Sequence, residues 1–175
     1  AIIAADIFGQ SCDIDAIKKI IKGSKNINAV YGPFITTSDY DSQNGKYIDN
    51  SKIPNLEFTR SMLMGPFFMF RKNIVEKINY FDEQFISAAD FDFAVRLAFV
   101  GEVRSTQNLL GYFLDSQSGL STKLDSVGPV ERSVIQLRYG ILGLFNVVHI
   151  PFISDYVIPQ IKFRNGAREL IRVNR

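Results

Sequence analysis

"YFDEQFISAADFDFAVRLAFVGEV", residues 80 to 103, decides how the rest of the chain is read. Asp82, Glu83 and Asp90 stand among aromatic residues in its first part, and the remainder has the composition of an apolar helix stopped by Gly101. Ser87 and Asp90 fit the Ser/Thr-x-x-Asp/Glu spacing of a capping box, in which each side chain satisfies an amide at the helix start. The stretch therefore predicts an acidic turn and then a helix entered near Asp90. Asp92 and Arg96 have the i,i+4 spacing of a surface ion pair. Asp90 itself admits two compatible readings. A carboxylate at a helix N-terminus stabilises the helix by about 0.5–2 kcal/mol through its free amides and dipole. The same position, beside a loop, also suits a general base, which must reach the proton it removes. Asp82 and Glu83 either cap a turn or contact a polar ligand, and their spacing leaves both open.

Outward from this stretch, helical and strand patterns alternate, which predicts an α/β class. "AIIA" reads as a buried strand. Asp13 can cap "IDAIKKIIKG", where Ile14, Ile17, Ile20 and Ile21 share one face and Gly23 ends the helix. "INAVYG" is the next strand. "SDYDSQNGKYIDNSKIPN" is a polar loop or loose hairpin with turn chemistry at Asn44-Gly45. "PFFMFRK" reads as a strand entered through Gly65-Pro66, where the missing side chain of Gly65 also lets backbone approach a ligand. "NIVEKI" is a short helix, and "EVRST" and "NLLGYFLD" are strands. Pro129 stands at a first helical position before "VERSVIQLRYGILGLF". In the tail "KFRNGARELIRVNR", a helix would align Arg164, Arg168, Arg172 and Arg175 as a basic stripe, read either as a solvated face or as a contact for anionic lipid.

The chain has 175 residues, 46% of them hydrophobic, with a net charge of +2. That length favours one domain with a sizeable core. The small net charge implies no field for a nucleic acid. Cys12 is the only cysteine, which excludes an internal disulfide and any cysteine-pair zinc site. The apolar window from Tyr139 to Pro159 is interrupted by Asn146, His149, Pro151 and Asp155, so it reads as a core helix and loop rather than a bilayer span. His149 is the only histidine, and a buried structural role suits it better than metal ligation. The hydroxyl-rich loop Asp115 to Lys123 lacks the glycine spacing of a phosphate-binding loop.

"MGPFFMFRKNIVEKINYFDEQFISAADFDFAVRLAFVGEV" resembles the acceptor-side half of family 2 glycosyltransferases with the GT-A fold. Tyr80 to Phe85 match that family's "G-x-F-D-E-x-F" element, with Asn79 where its glycine often sits. Asp90 matches the second residue of the acidic pair that opens the following helix, the usual catalytic base. Arg96 and Gly101 match the end of that helix, and Ala89 departs from the first acidic position. Upstream, "IIAADIFGQSCDIDAIKKIIKGSKNINAVYGPF" is similar to the segment around the family's metal-binding acids. There Asp6 matches the last of the acids, while Ile3 and Ala5 replace the others.

The resemblance implies a partial GT-A fold, a mixed sheet flanked by helices. Residues 1–125 would form the C-terminal half of the transferase domain and residues 126–175 a C-terminal helical extension, with the nucleotide-binding half expected before residue 1. It implies an inverting glycosyltransferase of glycan biosynthesis, moving a sugar from a nucleotide-sugar donor to an acceptor hydroxyl. Asp90 would be the base, Gly65, Pro66, Asp82, Glu83 and Arg96 substrate-binding, and Asp6 a ligand of a divalent metal, Mn or Mg. The acceptor would be a glycan or a lipid-linked sugar, and the protein cytoplasmic, meeting the inner face of the membrane through its C-terminal arginines. Ala5 and Ala89 favour an alternative, a catalytically inactive, transferase-like scaffold or interaction domain, whereas Asp82, Glu83, Asp90 and Arg96 together favour the enzyme.

Overall fold

The computed structural model describes residues 2–5, 14–39, 44–51, 64–116, 127–139, 160–164 and 167–171. In chain order these contain β1 (Ile2–Ala5), α1 (Ile14–Gly23), β2 (Ile27–Tyr31), β3 (Phe34–Thr37), β4 (Lys46–Ile48), β5 (Phe68–Arg71), α2 (Lys72–Lys77), α3 (Ala89–Val100), β6 (Glu102–Ser105), β7 (Gly111–Leu114), α4 (Gly128–Arg138), β8 (Gln160–Arg164) and β9 (Ala167–Ile171). Asp6, Cys12, His149 and residues 117–123 of the hydroxyl-rich loop lie outside the described residues.

The main sheet has four strands in the order β1-β5-β2-β6. β5 is antiparallel to both β1 and β2, and β2 is parallel to β6. Every residue of β2 is buried, as expected of a strand covered on both faces. The alternation in β5 shows how: Phe68 and Phe70 join α2 and α3 in one core, while Met69 joins α1 in the other. On the α1 side, Ile17 and Ile21 are buried and Ile14 and Ile20 partly so, as the isoleucine spacing predicts. In β2 the register slips between Ile27 and Ala29. That bulge sends Ile27 and Val30 to the α1 core and Ala29 and Tyr31 to the α3 core, a pattern strict alternation would forbid.

The fold is mixed α/β, as the alternating patterns predict, with two small mixed sheets flanked by helices. The second sheet runs β4-β3-β7, with β3 antiparallel to β4 and parallel to β7. The polar stretch after β3 is thus a hairpin. The Thr37 hydroxyl bridges its base, donating to the carbonyls of Asp39 at 2.6 Å and Asn44 at 2.8 Å.

The tail differs from expectation. Residues 160–164 and 167–171 form an antiparallel two-stranded hairpin, not a helix. Asn-Gly is the dipeptide that most favours a hairpin connection, and Asn165-Gly166 separates these strands in sequence. Arg164 and Arg168 occupy adjacent rungs, opposite Ala167 and Phe163, so the helical spacing that would align the arginines does not apply. Arg172 and Arg175 lie outside the described residues. Among the described residues no helix is long and apolar enough to cross a membrane.

Gly65 enters β5 with φ of 70°, in the left-handed region. A Cβ there would stand 2.5 Å from Phe34 Cε1, in a ring that packs on Phe67 with centroids 6.2 Å apart. Gly65→Ala should lower stability by about 1–2 kcal/mol from the backbone alone, with a further loss as Phe34 moves. Urea denaturation should show a lower midpoint at an unchanged slope.

Candidate functional site

Seven consecutive residues of α3, Phe91 to Leu97, are buried, so each face of the helix needs its own partner. Phe93, Ala94 and Leu97 pack on the main sheet together with Met64, the residue before Gly65. Phe91 and Val95 pack with Phe85 and Ala88 against Val134, Ile135 and Tyr139 of α4 and its end. Between these apolar faces lie Asp92 and Arg96.

Asp92 is 0% exposed. One carboxylate oxygen takes Arg96, with Nε at 2.8 Å and Nη2 at 2.6 Å. The other accepts from Arg138 Nη1 at 2.7 Å and from the Tyr139 hydroxyl at 2.9 Å. Arg138 Nη1 also donates to Asp82 at 2.9 Å. The pair expected on the surface is therefore the centre of a buried network, in which the carboxylates of Asp82 and Asp92 balance the guanidinium groups of Arg96 and Arg138. Spacing identified the Asp92–Arg96 contact. The burial comes from α4, which covers it.

The network fixes the turn ahead of α3. Arg96 Nη1 donates to the carbonyls of Ile78 and of Tyr80, the latter at 2.6 Å. Between them Asn79 and Tyr80 have φ of 62° and 54°. Asparagine tolerates this region and tyrosine rarely enters it, so the turn carries strain that the guanidinium helps to hold. Asn79 thus has a backbone for which glycine is best suited. Beyond the turn, Phe81 stacks on Phe93 with centroids 4.2 Å apart and planes 9° from parallel. Tyr80, Phe81 and Ile86 remain exposed, which leaves an apolar surface beside the mouth of α3.

The start of α3 is not capped as the sequence suggests. Its first flanking residue is Ala88, with no side-chain cap, and Ser87 lies one residue further out. Glu131 replaces the capping box. Its fully buried carboxylate accepts amide protons from Ile86 at 2.7 Å, Ser87 at 2.8 Å and Ala88 at 2.7 Å. These amides precede a helix start, where unpaired N–H groups concentrate and negative charge is favoured.

Asp90 lies in the first turn of α3, half-buried, and accepts the Phe91 amide proton at 2.7 Å. Helical phase puts it on the face that carries Phe93, Ala94 and Leu97, one turn nearer the N-terminus. Burial raises the pKa of its carboxyl, and the charge of Glu131 adds to the rise. Asp82 moves the other way. Burial alone would raise it, but hydrogen bonds from Gln84 and the Arg138 guanidinium hold it below the usual range. Burial pushes the Tyr139 hydroxyl up, reinforced by Asp92, so it stays a neutral donor.

The remaining expected positions divide. Glu83 is exposed in the turn, and Gly65 and Pro66 are half-buried at the entry to β5. Arg96, 4% exposed, spends its guanidinium on Asp92 and the turn carbonyls rather than presenting it to solvent. Glu131, Arg138 and Tyr139 were not anticipated, although a signal existed. Glu131 and Arg138 fall on the same helical stripe as Val134 and Ile135, and charges within an apolar stripe mark a buried polar contact. The described residues contain no group of three His, Cys, Asp or Glu that could hold a metal ion, so the expected divalent ion is assigned no ligands there.

A folded protein whose acid has a raised pKa binds the proton more tightly than its unfolded chain does. Asp90 therefore favours folding most below its unfolded pKa, and that contribution is lost as pH rises through the folded value. Asp90→Asn should consequently melt higher than the native protein at neutral pH, with the difference shrinking as pH is lowered. Calorimetric scans across an acid-to-neutral pH series check the sign.

No family model and no curated protein matches this chain.

Proposed function

We propose that the chain carries the acceptor-side half of an inverting sugar transferase of the GT-A plan, spanning residues 1–125, with Asp90 as general base. The observation that carries this reading is the placement of Asp90. It is a carboxylate in the first turn of α3, one helical turn before Phe93, on which the exposed Phe81 stacks, and burial raises its proton affinity. A base with a raised pKa is better matched to an alcohol proton near neutral pH than an ordinary aspartate is.

In the proposed reaction an acceptor hydroxyl gives its proton to the Asp90 carboxylate as its oxygen bonds to the anomeric carbon of the donor. The bond from that carbon to the diphosphate breaks, and the nucleoside diphosphate leaves with the bonding pair. The configuration at carbon inverts. Gly65, Pro66 and Glu83 belong to the acceptor side in this reading, while Asp82 and Arg96 hold the turn. α4 (Gly128–Arg138) supplies the buried support for that turn through Glu131 and Arg138.

The alternative is a transferase-like scaffold without chemistry. Ala89 favours it: this residue stands at the family's first acidic position and packs into the α3–α4 core. The two readings separate in an assay of the full-length gene product against UDP-, GDP- and dTDP-sugars with manganese, reading nucleoside diphosphate release. Turnover of at least one donor class supports the enzyme. Release no faster than from donor alone across the whole panel supports the scaffold.

A further inference from the structure

We propose that Glu131 is a positioning residue for this site: its buried carboxylate, by holding the amides of Ile86, Ser87 and Ala88, fixes the segment that delivers Asp90 to the mouth of α3. The proposal takes Asp90 as the base from the reading above. Three features carry it, two of them on α4. Glu131 is 0% exposed, and its oxygens meet three successive backbone donors within 2.7–2.8 Å. Ala88, the last of the three, is the residue at which α3 begins, and its carbonyl accepts the Asp92 amide at 3.1 Å. Arg138, two turns along α4, holds Asp82 at the other end of the same segment. One helix thus grips the acidic turn at both ends. A carboxylate that accepts several backbone amides is strongly oriented.

Glu131 also acts on Asp90 through space, its negative charge opposing ionisation of Asp90. Other charged groups surround the mouth: Glu83 of the turn and Arg132 of α4 are exposed to solvent. Asp82, Asp92, Arg96 and Arg138 form the buried network, and Glu102 and Arg104 of β6 pair at 2.5 Å. Lys72, Glu76 and Lys77 of α2 are exposed to solvent, where charges are screened.

The test reads no turnover, so its failure is distinguishable from failure of the transferase reading. In the native protein, NMR should detect coupling through the hydrogen bond between the Glu131 carboxyl carbon and the Ile86 and Ala88 amide nitrogens. In Glu131→Gln, exchange of the 86–88 amides should accelerate, and the pKa of Asp90, followed by its carboxyl carbon, should fall toward the ordinary carboxylate value. A folded Glu131→Gln protein with unchanged exchange and an unchanged Asp90 titration would overturn the proposal. So would absence of the couplings in the native protein, a measurement that stands even where the variant fails to fold.

Discussion

Asp92→Ala should destabilise the protein by about 3–5 kcal/mol, the range for removing one partner of a buried ion pair. The carboxylate has no access to water and receives Arg96, Arg138 and Tyr139 at once. Its removal leaves the consequences unevenly distributed. Arg138 retains Asp82 at 2.9 Å and the face of Phe85, 4.7 Å from the ring centroid. Among the described residues, Arg96 retains only the carbonyls of the 78–80 turn and the Phe93 ring. The larger part of the loss should therefore come from a buried Arg96 without an anion, and replacing both residues should recover much of it. Asp92→Leu combined with Arg96→Met is predicted to be more stable than Asp92→Ala, because an apolar pair removes the uncompensated charge. At about 2–4 °C per kcal/mol for a chain of this size, thermal scans resolve the difference. A loss below 1 kcal/mol for Asp92→Ala would mean that the network is solvated in solution.

Much of the scaffold was legible in the sequence because it is local. The four isoleucines of α1 mark its buried face, Gly65-Pro66 marks the entry to β5, and Pro129 marks the start of α4. Gly101 ends α3 as expected, though for a packing reason: its φ of 172° is ordinary extended backbone, and a Cβ there would run into the Asn28 amide. What the sequence concealed depends on distant partners. Ser87 has the spacing of a cap, but the amides before α3 go to Glu131, which lies 43 to 45 residues further along. The Ser87 amide, which a capping box would give to Asp90, goes to Glu131 instead, and Asp90 takes the amide of Phe91. Asp92 and Arg96 likewise show their pairing in their spacing but not their burial, which α4 creates. The tail was misread because its arginine spacing was given more weight than Asn165-Gly166.

The second large effect concerns chemistry. Asparagine at position 90 keeps the size of the side chain and an oxygen for the Phe91 amide, but it cannot take a proton from an acceptor hydroxyl. Loss of a general base typically costs about 10²–10⁴-fold in rate. The native rate should also fall as pH drops through the Asp90 pKa, because the protonated acid no longer serves as base. That value lies above the ordinary aspartate range, raised by burial and then by Glu131. Since Asp90→Asn should fold at least as well as the native protein at neutral pH, lost activity cannot be attributed to lost structure. The decisive measurement is the rate of sugar transfer by the full-length gene product and its Asp90→Asn variant, on the donor that the native protein turns over. With Asp90 as the base, kcat should fall by about 10²–10⁴-fold with no loss of melting temperature; transfer by Asp90→Asn at the native rate would contradict that role.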